Sequence, residues 1–361
     1  MNNQRITDLG TAITDWLIRK NLPFSESLIK STLFRHFCGG ETLEESKQCI
    51  EELAAFGIDT ILDYSVEGEN DEAAFEAACQ KIEETIALSI ESENIPFAVF
   101  KTTGIARFEL LEKISANQTL SEDEVKALNR VKQRFTKLCQ KAFDCRVPVM
   151  IDAEESWIQK AIDDLVYEAM QKFNRDKAVI YNTIQLYRKD RLSYLQQLFE
   201  KTKNDGLFLG VKLVRGAYME RERERAAQFG YPSPIHDTKE ETDLAFDEAL
   251  RFVMNNTDRI KICCGTHNEK SNLLLSELIE KSKTIELKDE IYFSQLYGMG
   301  DHISYNLAKS GFKVAKYVPY GPVKSVLPYL FRRAKENTAM AGHVSRELHL
   351  ILSEEKRRKE I

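Results

Sequence analysis

The sequence predicts an α/β chain folded as a distorted (β/α)8 barrel, of the TIM type, with a helical arm in front of it. Three observations carry this. Short β-branched runs alternate with longer charged helical stretches, the rhythm of parallel βαβ units. Eight such runs follow one another, "GIDTILDYS", "PFAVFKTTG", "PVMIDAE", "AVIYNTIQ", "LGVKLVRGA", "IKICCGTHN", "EIYFSQL" and "KVAKYVPYG", the number a closed barrel needs. Nearly every run ends in an ionisable or amide residue, and barrels of this type carry their sites at the carboxyl ends of the strands. The competing open, doubly wound sheet lacks its phosphate signature. "GMGDHIS" at 298–304 misses the third glycine of GxGxxG and follows no clean strand and turn.

In chain order, residues 1–56 read as a helical arm, with helical spacing in "ITDWLIRK" and "SLIKSTLFRHF" and a break at Gly39-Gly40. Residues 57–340 hold the barrel and 341–361 a helical tail. The longest insertion, about 105–147, reads as extra helices, and Ser121 with Glu124 forms a capping box before "VKALNRVKQRFTKL". Pro322 after Gly321 suits a helix start, and Pro328 is expected to kink the helix or restart it just before Tyr329. The tail, "HVSRELHLILSEEKRRKEI", is amphipathic with a basic end. Its ordinary reading is a solvated helix whose cations complement its dipole. The other reading is a weak peripheral contact with a membrane.

Composition excludes several classes. A net charge of -6 argues against a nucleic-acid binder. No run approaches the ~20 apolar residues of a membrane span. The start "MNNQRITDLG" shows no basic segment followed by an apolar core, so a cytoplasmic protein is expected, with the inner membrane face as its one peripheral address. The seven cysteines are scattered and form no CxxC, which suits reduced buried thiols. No metal site is expected: HExxH is missing and the six histidines show no ligand spacing. No serine or cysteine sits in a nucleophile elbow.

The rim residues are Asp63 and Glu67 after the first run, Lys101 after the second, and Asp152 and Glu154 after the third. Asn182 and Gln185 come from the fourth run, and Lys212, Arg215 and Gly216–Tyr218 from the fifth. The sixth supplies Thr266, His267 and Asn268, the seventh Gln295 and Leu296, and the eighth Tyr317. After the eighth run, Tyr329, Arg332, Arg333 and Glu336 stand at i, i+3, i+4 and i+7, one face of a helix. A solvated charged face is the ordinary reading of such a stripe. Two adjacent guanidiniums at a barrel mouth instead suit one small anion, since each is a planar fork of donors. A rim rich in Arg, Lys, Tyr and amides, without nucleophile or metal, points to an anionic substrate and an organic cofactor that performs the chemistry. Residue chemistry alone does not name that cofactor.

"KLVRGAYMERER", "GTHN", "YFSQLYGMGD" and "KYVPYGPVKSVLPYLFRRAKEN" together resemble the proline dehydrogenase family, in the spelling of its monofunctional, eukaryote-like branch. The similarity runs from about residue 30 to 340. It implies a distorted barrel that binds FAD without a dinucleotide-binding domain. It also implies oxidation of L-proline to 1-pyrroline-5-carboxylate, the first step of proline catabolism, with electrons passed to a membrane quinone. A 1-pyrroline-5-carboxylate dehydrogenase is the implied pathway partner. By the same resemblance Arg332 and Arg333 clamp the substrate carboxylate, Lys101 is a substrate-binding lysine at a strand end, and these three form the catalytic set. Asp152 stands beside Lys101. Ala217, Tyr218, Leu296, Tyr317 and Tyr329 line the pocket, and Glu67 closes it through an expected pair with Arg333. The implied FAD contacts are Asn182, Lys212, Arg215, Thr238, Lys239, Thr266, His267, Asn268, Gln295 and Glu336. Lys212 and Asn182 depart from the bacterial bifunctional enzymes, which carry arginine and glutamine there. The alternatives are a hydroxyproline dehydrogenase, a flavin barrel reductase of the methylenetetrahydrofolate type, and a non-catalytic ligand-binding barrel.

Overall fold

Strands β1 (Asp59–Tyr64), β2 (Phe97–Lys101), β3 (Val149–Asp152), β4 (Ile180–Gln185), β5 (Leu209–Val214), β6 (Ile260–Gly265), β7 (Tyr292–Leu296) and β8 (Lys313–Tyr320) pair in parallel in chain order. The ring closes where β8 meets β1, with Ile61 opposite Tyr317. Each strand falls inside one of the eight runs. These features belong to a computed structural model, which describes residues 30–65, 70–282, 286–339 and 353–358.

Side chains alternate across each strand. The outward set (Leu62, Phe100, Ile151, Ile180, Val211, Leu213, Ile262, Phe293, Val314 and Val318) merges with the helical shell into one large apolar core. The inward set forms a smaller cluster of its own: Ile61, Phe97, Val99, Met150, Tyr181, Cys263, Ala315 and Tyr317. The barrel is therefore a packed core and not a pore. Ser121 and Glu124 do make the expected capping box, at the start of helix Glu122–Cys145. That helix is an ordinary shell member, packed against Glu72–Glu91 and Ser156–Phe173. The extra piece of the insertion is Phe108–Ser115, which packs on Ser156–Phe173.

The shell departs from a regular barrel at its closing seam. Helix Leu43–Ala54, which precedes β1, packs on β1 and β8. The place a helix after β8 would ordinarily take is thus filled from the N-terminal side. The helix that does follow β8, Val323–Ala339, packs instead on the segment Lys30–Phe37. Phe34, Phe37, Cys38, Met299, Val323, Val326, Leu327, Tyr329 and Leu330 form a separate buried cluster there, with Leu296 at its edge. Leu296 is the last residue of β7, so this cluster lies at the carboxyl end of the barrel. The chain from Cys38 to Glu41 ties the two parts together. Gly39 N donates to Pro319 O at 2.9 Å and Gly321 N to Gly40 O at 3.1 Å. Val323–Ala339 runs unbroken through Pro328, so the expected restart before Tyr329 does not occur. One lost N–H bond is tolerated where Val326, Leu327 and Leu330 on either side are held by packing.

The N-terminal segment approaches the barrel so closely that one position admits only glycine. At Gly298 φ is +73°, and a Cβ placed there would lie 2.2 Å from the carbonyl oxygen of His36. Gly57 has a similar φ, +70°, with nothing within 4 Å. We expect Gly57→Ala to cost about 1 kcal/mol, the backbone term alone, and Gly298→Ala more than ~2 kcal/mol, because backbone must move as well. Urea unfolding of the two variants measures the difference. Equal midpoints would show that the segment does not pack on this loop.

Candidate active site

The site begins with strand parity. At the carboxyl ends of β1, β2, β3, β5 and β8, the inward positions are Asp63, Lys101, Asp152, Lys212 and Tyr317. They form one buried network. Lys101 Nζ donates to Asp63 Oδ2 at 2.7 Å and to the Tyr317 hydroxyl at 3.3 Å, and lies 3.4 Å from Asp152 Oδ2. The Tyr317 hydroxyl donates to Asp152 Oδ2 at 2.7 Å. Lys212 pairs with Asp152 Oδ1, and Ser65 donates to Asp63. The ring of Tyr317 sits between the two ammonium groups, 5.8 Å from Lys101 Nζ and 5.1 Å from that of Lys212.

The titration shifts follow from this packing. Burial alone would raise the carboxyl of Asp152. Lys212, then Lys101, overcome it and hold the group below the usual carboxylate range. Tyr317 is pushed up, first by burial and then by the charges of Asp152 and Asp63, so it stays a neutral hydrogen-bond donor. Asp63 keeps Oδ1 buried with no hydrogen-bond partner.

The helix Val323–Ala339 meets the carboxyl end of the barrel through Leu296, which packs against its apolar cluster. Arg333 is buried, its guanidinium 5.3 Å from the ring centre of Tyr329. Arg332 is half-buried and stands 5.8 Å over the ring of Tyr218, which belongs to the loop after β5. Tyr218 is buried and Ala217 beside it is exposed. Leu296 touches both the barrel interior and the lid cluster. The two arginines, Tyr218, Leu296 and Tyr329 are thus brought to one mouth. Glu67 lies outside the described residues, with the gate pair it would make to Arg333, and so does the side chain of Glu336.

A second group gathers beside the mouth, around the ends of β5 and β6. Arg215 pairs with Asp243, donates to Ser271 Oγ at 2.7 Å and lies 3.9 Å over the ring of Phe246. Asn268 donates to the same Asp243 at 3.1 Å. Burial lowers the pKa of Arg215 and Asp243 opposes it. Thr238 caps helix Lys239–Met254, and Asn268 caps helix Glu269–Lys281. Lys239 reaches Asp243 at 2.5 Å. The hydroxyl of Thr266 accepts from Asn268 N at 3.1 Å, and His267 Nε2 accepts from Leu296 N at 3.4 Å. Two helix N-termini and two cations therefore converge, a setting for an anion such as a pyrophosphate. Arg215 also keeps its Nε buried without a hydrogen-bond partner, so the rim has a donor to offer. The side chains of Thr238, Thr266 and Asn268 are themselves spent on shaping these turns.

Two expected cofactor contacts point the wrong way. Asn182 follows Tyr181, an interior residue, so it faces outward, where it donates to Asp163 at 2.9 Å and to the Tyr194 hydroxyl at 3.2 Å. Gln185, three positions on, is the inward amide at the end of β4. It donates to Glu154 O at 2.6 Å and to the Tyr187 hydroxyl at 2.8 Å. Gln295 lies between the inward Ser294 and Leu296 and also faces out. It donates to Thr266 O at 3.1 Å and accepts from Ser304 at 2.8 Å. A shift of one residue in a strand exchanges the two faces, which is the error in both assignments. The sequence reading also passed over Asp243, whose helix gives no local sign that it faces Arg215, and it left Asp63 out of the binding set.

A closed parallel barrel with a charged inner rim and an arginine-bearing helix across its mouth defines the class, and comparison with known proteins places the chain within it. A family model described as proline dehydrogenase matches residues 46–346. The chain belongs to the proline dehydrogenase family and is an oxidoreductase of that kind. It is 39% identical over 334 residues to the carbapenem antibiotics biosynthesis protein CarD of Pectobacterium carotovorum, covering 92% of this chain and 85% of that protein. It is 33% identical to proline dehydrogenase 1, mitochondrial, of Dictyostelium discoideum, covering 91% of this chain and 65% of that one. It is 31% identical to the hydroxyproline dehydrogenase of Xenopus laevis, over 91% and 78%. Among solved structures, proline utilization A from Bdellovibrio bacteriovorus superposes with a TM-score of 0.74 at 20% identity, over 87% of this chain and 34% of that one. That likeness bears on the fold alone.

Glu154 supplies a pH test of the site's wall. It is 3% exposed and accepts from Thr103 N at 3.0 Å, in the turn that follows Lys101. Burial, and then the neighbouring charge of Glu155, push its carboxyl from an ordinary 4.5 up to about 8. A raised folded-state pKa means stability that is present below the unfolded value and lost as pH rises through the folded one. We expect the unmodified protein to lose stability relative to Glu154→Gln progressively between about pH 5 and about pH 8. Parallel melting curves across that range would show that Glu154 is not buried as described.

Proposed function

We propose that this protein oxidises L-proline to 1-pyrroline-5-carboxylate with FAD as its cofactor and a quinone as the final electron acceptor. The observations that support the reading are the approach of Arg332 to Tyr218, the burial of Arg333 beside Tyr329, and the Asp63–Lys101–Asp152–Tyr317 network at the strand ends. Paired guanidiniums over a mouth suit a carboxylate, and the ammonium of Lys101 below them adds a third cation. Tyr317 presents a neutral phenol to the edge of a small ring. Asp152 holds Lys101 and Lys212 in place. Ala217, Tyr218, Leu296 and Tyr329 supply the remaining walls.

The second group suits the cofactor. Arg215, with its open Nε, Lys239 and the capped helix N-termini at Thr238 and Asn268 would hold the pyrophosphate region of FAD. Lys212, His267 and Gln185 would border its ring system, and Thr266 would shape the adjoining loop. The bound flavin supplies the two-electron acceptor for the hydride leaving the proline ring. Lys212 and Arg215 are the cations this rim offers to the negative charge that such a transfer creates. Glu336 would add a further contact, and Glu67 would close the mouth against Arg333. Peripheral contact with a membrane holding the quinone, and a 1-pyrroline-5-carboxylate dehydrogenase consuming the product, belong to the same reading.

Anaerobic addition of substrate to the purified protein tests it. The protein should be yellow, and L-proline, not NADH, should bleach it, while trans-4-hydroxy-L-proline should act much more slowly against the wall of Tyr317. Arg332→Met and Arg333→Met should each raise KM for proline roughly tenfold to a hundredfold with flavin retained, since a hydrogen bond to a charged group contributes about 1.5–3 kcal/mol. Variants that lose flavin, yet keep normal proline affinity once it is restored, would make these arginines cofactor ligands.

A further inference from the structure

The outer face of β8 carries a charge that its neighbours do not explain. Lys316 points away from the barrel interior, between Val314 and Val318 of the apolar shell, and is 1% exposed. A buried ammonium costs several kcal/mol unless it is paired and hydrogen-bonded. Lys316 donates to acceptors in and beside the loop that follows β7. Nζ donates to Met299 O at 2.6 Å, to Leu296 O at 3.5 Å and to Asp301 Oδ1 at 2.7 Å. Beside it in register stands Gln295, which holds the preceding loop through Thr266 O.

The braced loop is the one whose position matters most for the mouth. Leu296 joins the interior cluster to the lid cluster, and Met299 belongs to the lid cluster. Gly300 lies against His267, where a Cβ would come within 2.8 Å of Nδ1. Between Leu296 and Asp301 the loop is also held by the close approach of Gly298 to His36 and by the packing of Met299 in the lid cluster. Tyr297 N donates to Tyr317 O at 2.9 Å and Met299 N to Leu296 O at 3.1 Å. An apolar residue at 316 would fill the shell between two valines without any desolvation cost. The lysine therefore serves the loop and not the shell.

We propose that Lys316, working through Asp301 and the carbonyls of Leu296 and Met299, is a positioning residue that fixes the Leu296 wall and so sets the size of ring the pocket accepts. The proposal rests on the reading of the pocket as a proline site. Its test compares catalytic efficiencies for L-proline and for L-pipecolate, the cyclic amino acid with one more ring carbon, in the flavin-loaded protein. One methylene in a fitted pocket is worth tenfold or more. Lys316→Met should lower the proline-to-pipecolate ratio about tenfold and Asp301→Asn, at the exposed end of the brace, about threefold. Amide exchange at Tyr297 and Met299 should quicken in both variants while the β5 and β6 loops keep their rates. An unchanged ratio with unchanged exchange in Asp301→Asn overturns the brace, whether or not Lys316→Met folds. So does an equal loss for both substrates with a lower melting temperature, which marks a merely structural lysine. Failure of the unmodified protein to oxidise either substrate counts against the proline reading; the exchange rates in Asp301→Asn then decide the brace without it.

Discussion

Asp152 sits between two ammonium groups above an apolar floor, and the layout of the site follows from that. The lower interior is filled by Phe97, Val99, Met150, Tyr181 and Ala315. No charge can stand above such a floor unless it is paired, because burial penalises each ion far more than water would. Five strands meet the condition together: Asp63 and Asp152 balance Lys101 and Lys212, and the phenol of Tyr317 fills the gap between the ammonium groups. Buried ion pairs are poor sources of stability compared with apolar packing of the same volume. A network of this size at the rim is better understood through what it binds. It holds two cations in fixed positions at the strand ends, while one buried carboxylate oxygen of Asp63 has no hydrogen-bond partner.

The lid depends on the same economy of space. Because Leu43–Ala54 takes the outer position at the seam of β8 and β1, the following helix is released to lie across the end of the barrel. Its apolar side is covered by Phe34, Phe37 and Met299. Its arginines meet the rim at Tyr218 and close over Tyr329. The place of the arginine-bearing helix and the closing of the barrel both depend on the chain that precedes the first strand.

The sequence revealed the strands with unusual clarity, since each β-branched run became one strand, and Asp63, Lys101, Asp152, Lys212 and Tyr317 came together inside the barrel. What it concealed was parity. Asn182 and Gln295 carry suitable side chains at strand ends, yet both face the helical shell, where Asp163, Tyr194 and Ser304 satisfy them. Anchoring β4 on Tyr181 as an inward residue would have selected Gln185 instead. The placement of Lys316 was not legible at all, because its acceptors are two carbonyls and a carboxylate 15 to 20 residues away in the chain, set by a loop fold that no local pattern encodes. Pro328 misled for a related reason. Local chemistry disfavours helix there, and the packing of Leu327 and Leu330 overrides it.

A crystal structure of the flavin-loaded protein with an unreactive cyclic carboxylate in place of proline tests the central claim most directly. The carboxylate should lie within about 3 Å of the guanidiniums of Arg332 and Arg333 and of the Lys101 ammonium, with its ring against Tyr317 and Leu296. A ligand seated elsewhere, or arginines turned to the flavin phosphates with the network below left bare, would contradict it.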